Sequence, residues 1–180
     1  MAALLALPVS LALGRFGWIQ WDLHRAERQA TRELAQPVPA PAAYGVLGGI
    51  RLDQGRLDEA LPLLQKASEL EWAAGAGSRD TLTLAKAEIS SGHDEAAEAA
   101  LRRAEALSEK LAKGQQARTL FSAGLFWSQL GQKPQALLDL RRAVALQTDD
   151  WVGLGPGRRE KVAGLAGYYQ KMLAAVEQDP

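Results

Sequence analysis

Apolar residues recur every three or four positions through most of the chain, the spacing that lines them along one side of an α-helix. The pattern predicts paired helices at 42–54 and 57–72, at 79–91 and 94–111, and at 115–130 and 133–147. The turns inside the three pairs share a signature. Gly55, Gly92 and Gly131 are each followed by alanine five and twelve residues later: Ala60 and Ala67, Ala97 and Ala104, Ala136 and Ala143. Only a residue without a Cβ makes such a helix-ending turn cheaply, and the alanines mark places where two helix backbones approach closely. Ala60, Ala97 and Ala136 are therefore expected to be buried. A last helix, about 158–176, places Val162, Leu165, Ala166, Tyr169 and Leu173 among Arg158, Arg159, Lys161 and Lys171. Before the pairs, Leu23, Ala26, Ala30 and Leu34 share one face of a helix over 22–35, with Arg25, Arg28 and Arg32 on or near another. The stretch 36–41 alternates prolines and predicts an extended, semi-rigid spacer. Residues 151–157, rich in glycine, predict a loop.

A pattern repeated three times over about 100 residues is the mark of a helical repeat array. The first unit supplies Tyr44, Leu47 and Gly48, then Gly55, Ala60, Leu64, Ala67 and Leu70. The third supplies Leu120, Ala123, Gly124, Trp127, Leu130-Gly131, Ala136, Leu140, Ala143 and Leu146. These residues resemble the tetratricopeptide repeat (TPR) family. The second unit is weaker, with Leu84 and Ala85 but Thr81 in place of the first aromatic and Glu88 where a large apolar residue is usual. No unit has the closing proline, since Trp72, Glu109 and Thr148 stand there. The spacings of 37 and 39 residues exceed the family's repeat of about 34, and the surplus falls in Ala74 to Ser78 and around Lys113-Gly114, which lengthens loops. The resemblance implies an all-α fold: a right-handed helical-repeat solenoid with three TPR-like repeats over 42–150, to which the pattern outside the repeats adds a capping helix and tail over 158–180 and a separate N-terminal hydrophobic helix. A cap is expected because an open solenoid end exposes its apolar side.

Composition narrows the chemistry. The 180 residues carry 21 basic and 21 acidic side chains, so no global field recommends nucleic acid. Cysteine is absent, which excludes disulfides, thiol nucleophiles and zinc-thiolate sites, and two histidines leave little for a transition metal. No cofactor, metal or small-molecule substrate is indicated.

Residues 1–21 are mostly apolar and carry one charged side chain, Arg15, with Phe16, Trp18 and Trp21 near the charged residues that follow. About 20 residues just span a bilayer core of roughly 30 Å. The reading that accounts for most of this is a single-pass anchor with Arg15, Phe16, Trp18 and Trp21 at the membrane interface and 22–35 as a juxtamembrane helix. A cleaved signal peptide, or a hydrophobic helix buried in a partner or on the solenoid, are the alternatives. Arg15, Arg25, Arg28 and Arg32 all follow the apolar run, a slight lean towards cytoplasmic repeats.

No cluster argues for catalysis. The glycine loop before Arg158 and Arg159 offers a weak anion site, without the strand or Gly-Lys-Ser/Thr ending that a phosphate loop needs. His24 and His93 read as surface residues, and the acidic side chains as solvated faces. The resemblance implies instead a groove lined by the first helix of each unit. In the first unit those positions are Ala42, Gly45, Gly49, Leu52 and Asp53, nearly bare. In the next two the groove presents Arg79, Leu82, Lys86 and Ile89, then Arg118, Phe121 and Leu125, an apolar strip with cations at its rim. Such a strip suits an extended or helical segment bearing acidic groups or a free carboxylate, unless these residues pack against the cap. The expectation is a non-enzymatic interaction subunit or assembly factor of a membrane protein complex, with other, probably membrane-bound, subunits and the lipid bilayer as partners. An exported soluble carrier or chaperone, and an enzyme using the glycine loop, are the rivals.

Overall fold

The computed structural model describes residues 22–75, 77–149 and 156–178, and these contain helices and no strand. Helix α1 covers 22–34. It is followed by α2 (Pro41–Asp53), α3 (Leu57–Ala74), α4 (Arg79–Ser90), α5 (Asp94–Ser108), α6 (Lys113–Gln129), α7 (Lys133–Asp149) and α8 (Pro156–Gln178). The heaviest packing is within the expected pairs, α2 on α3, α4 on α5 and α6 on α7, and consecutive pairs are joined through α3 with α4 and α5 with α6. First helices also touch one another, α2 with α4 and α4 with α6, so they line one continuous face.

The turn glycines end their helices in one way. Gly55, Gly92 and Gly131 have φ of 73°, 73° and 72°. Behind each, the next residue's N–H reaches back across the turn: Arg56 to the Arg51 carbonyl at 2.9 Å, His93 to Glu88 at 2.9 Å, Gln132 to Trp127 at 2.9 Å. These bonds satisfy carbonyls that the helix end would otherwise leave open, and they require the left-handed conformation that glycine adopts without strain. All six spaced alanines are buried, Ala60, Ala97, Ala104, Ala136 and Ala143 completely. Close approach shows again at Gly48 and Gly124, where a Cβ would lie 2.7 Å from Leu64 and 2.8 Å from Leu140. The second unit fills that place with Ala85, itself fully buried.

One core runs through the three pairs, from Leu52, Ala60 and Leu64 to Trp127, Leu140 and Tyr169. A smaller cluster joins Ala30 and Leu34 of α1 to Ala43, Leu47 and Leu63. Glu27 of α1 also pairs with Arg51 of α2, whose Nε lies 3.2 Å from Glu59. The helix expected to leave a membrane is therefore packed onto the first repeat, while Arg25, Arg28 and Arg32 are exposed. At the other end α8 packs on α7 and caps the array, with Arg141 and Glu177 bridged at 2.9 Å.

Three expectations need correction. Pro41 is the first residue of α2, where a missing N–H costs nothing, so the spacer is one residue shorter. Pro156 and Gly157 belong to α8 rather than to the glycine loop, for the same reason. The single-pass membrane placement is overturned: among the described residues no helix is long and apolar enough to cross a bilayer. The proposed interface residues Arg15, Phe16, Trp18 and Trp21 lie outside the described residues.

Candidate binding groove

Helices α4 and α6, with the end of α3 and the loops that precede them, form an open pocket of about 590 Å³. Its position depends on a cap supplied from outside the helix. The Glu71 carboxylate, near the end of α3, accepts the N–H of Asp80 at 3.2 Å, the N–H of Thr81 at 2.9 Å and the Thr81 hydroxyl at 2.8 Å. It thus satisfies the open amides at the start of α4 and places a negative charge at the positive end of that helix. Buried hydroxyl pairs tie the same region together, Ser68 with Thr81 at 3.0 Å and Ser78 with Thr119 at 2.6 Å. Burial, then the neighbouring Glu71 charge, push the Asp80 carboxyl above its ordinary range. That carboxylate lies against Gly45, where a Cβ would collide with it.

The pocket gathers four of the expected groove residues, Arg79, Leu82, Lys86 and Arg118, and adds Leu111 and Phe126 as apolar lining. Its cations are weakly engaged. Lys86 lies 3.5 Å from Asp53 with both side chains more than half exposed, a pair that contributes little in water. Arg118 donates from Nε to the Gly114 carbonyl at 3.1 Å. Arg79 is exposed, and its charge acts on the adjacent Asp80.

Three expected groove residues do not line it. Phe121 is 7% exposed, because Tyr169 of α8 stacks on its ring at 3.8 Å and 6°, with Tyr168 tilted at 5.5 Å. The cap covers this position, and burial raises the Tyr169 hydroxyl's pKa. Leu125 is half-buried against the core, and Ile89 is half-buried outside the pocket. In the first unit, Gly49 faces open space.

Sequence reasoning missed a second polar site between α5, α6 and α7. Trp127 Nε1 donates to Glu105 at 2.6 Å, and the Gln135 amide reaches Glu105 at 3.4 Å and Asp139 at 3.5 Å. Asp139 is fully buried, with one oxygen unpartnered. His93 is exposed but bonds through Nδ1 to the buried Glu88 at 2.9 Å, which explains how an acid occupies an apolar position of the second unit. His24 lies 3.8 Å from Glu27 on α1. The side chains of Arg158 and Arg159, on which the weak anion site rested, lie outside the described residues.

No family model matches the chain, and no curated protein does. Solved structures do. A crystal structure from Podosopora anserina, described as a candidate kinesin light chain with nearly identical TPR-like repeats, superimposes with a TM-score of 0.59 at 17% identity, over 94% of this chain and 92% of that one. A singly substituted form of that protein gives a TM-score of 0.60 at the same identity and coverage. The chain has a TPR-like repeat fold. Within that fold the pocket lies on the first helices of the second and third units, and α8 occupies the end that a further unit would cover.

Proposed function

We propose that this chain is a non-catalytic interaction module that holds a protein partner through an acidic segment lying in the pocket between α4 and α6. The observation that carries this reading is the convergence of Arg79, Lys86 and Arg118 around Leu82, Leu111 and Phe126 in one open depression of about 590 Å³. Exposed cations with weak internal partners lose little when they exchange water for a carboxylate, and the apolar floor adds the burial that simple charge attraction lacks. The bare first unit, with Gly49 and the exposed Ala42 and Asp53, leaves the approach from α2 sterically open. A role in holding or assembling other proteins fits a surface of this kind better than catalysis, since nothing in the pocket pairs a nucleophile with a base.

Selection of displayed random peptides on the immobilised protein tests the reading. Peptides enriched in Asp and Glu beside an apolar residue are expected, with their capture lost when Arg79, Lys86 and Arg118 are changed together to Glu. Selected peptides without acidic residues, or capture indifferent to the triple change, would refute it.

A further inference from the structure

The site between α5, α6 and α7 puts two acids where the other units have none. Asp139 stands three residues after Ala136 on the packed face of α7, the place held by Leu63 and Ala100 in the first two units. Its carboxyl is fully buried and one oxygen has no partner. Glu105 faces it from α5, already fixed by Trp127 of α6 at 2.6 Å. Two carboxylates at such a place cannot both ionise cheaply, and the arrangement is satisfied when one proton lies between them. We propose that a proton shared by Glu105 and Asp139 latches α7 onto α5 and α6, and that its departure as pH rises loosens the joint between the second and third units.

The surrounding charges allow this. From α5, Glu98 and Arg102 line the adjoining pocket with Glu105, and Arg102 is occupied with Glu98 at 3.3 Å. From α6 the facing group is the uncharged Trp127. On α7 itself Arg142 pulls the other way, but it is 3.9 Å from Glu109 and only partly offsets the acids. From α8, Glu177 is bound to Arg141. Burial first, and Glu105 second, push Asp139 from its ordinary 3.8 up to about 7. The folded chain therefore holds a proton that the unfolded chain lacks between those two values. The stability this gives is complete below about pH 4 and is lost as pH rises through about 7. The inference is independent of what the groove binds.

Hydrogen exchange of α7 amides between pH 5 and 8, corrected for intrinsic exchange, reads the joint directly. Protection in the wild type is expected to fall by roughly tenfold or more relative to Asp139→Asn, which keeps the shape and cannot ionise. Glu105→Gln, which keeps an acceptor for Trp127 but cannot share the proton, is expected to shrink the pH dependence and to lower its midpoint, leaving only the part that burial of Asp139 gives. The carbon-13 signal of the Asp139 carboxyl in the wild type supplies a readout that needs no variant, with a midpoint near 7 expected. A midpoint in the ordinary carboxylate range, or variants with the wild type's pH slope, would overturn the proposal.

Discussion

The second and third units meet at two polar places that treat charge in opposite ways, and α6 contributes to both. In the pocket, Arg79, Lys86 and Arg118 stay in water and are weakly engaged. At the joint, Asp139 is buried and Glu105 half-buried, and their carboxylates take hydrogen bonds from Trp127 and Gln135. An exposed charge contributes little to stability and remains available to a partner, whereas a buried one is tolerated only as part of a fixed arrangement. The comparison separates two properties that a repeat protein often mixes. Changes at the joint should alter folding, and changes at the pocket should alter binding.

The largest expected effect breaks the joint. Trp127 is 2% exposed, and Trp127→Ala removes both its packing and the donor that holds Glu105. A loss of roughly 3–5 kcal/mol in urea unfolding is expected; a loss under about 1 kcal/mol would mean the joint does not hold the third unit as described. Next in size is the turn between α6 and α7. Gly131→Ala forces a Cβ into a φ of 72°, which should cost about 1 kcal/mol by the same assay. An unchanged midpoint would show that the backbone relaxes there. Smallest is the pocket: Arg79→Ala and Lys86→Ala should each shift stability by no more than about 0.5 kcal/mol. A larger drop would make those cations structural and erase the contrast.

The turns were legible in the sequence because their chemistry is local. Glycine at a left-handed position and alanine at a helix contact are dictated by sterics within a few residues, and Gly55, Gly92, Gly131 and the spaced alanines all stand where that logic puts them. Packing of the strip against the cap is an alternative that the sequence leaves open, but that the cap covers Phe121 in particular was not legible, because Tyr169 arrives from a helix far along the chain. Of the pocket, Arg79, Leu82, Lys86 and Arg118 could be read from register, while Leu111 and Phe126 could not, since they enter from a loop and from the flank of α6. Asp139 was mistaken for a solvated acid. Its spacing of three from Ala136 and four from Ala143 already put it on the packed face, and only its charge argued otherwise. The single-pass reading failed differently: among the described residues no helix is long and apolar enough to cross a bilayer, and the helix expected beside the membrane packs on the first unit through Ala30 and Leu34.

The central claim is that the pocket's cations recognise acidic residues of a protein segment, and a charge-exchange cycle tests it most directly. One peptide from the selection would be labelled and its affinity measured by fluorescence anisotropy, with its principal acidic residue retained or changed to Lys, against the wild type and Arg118→Glu. Each single change is expected to weaken binding by roughly tenfold or more, about 1.4 kcal/mol, and the two together to restore much of the loss. Losses that merely add, or an Arg118→Glu protein that binds the unchanged peptide as well as the wild type does, would contradict the account.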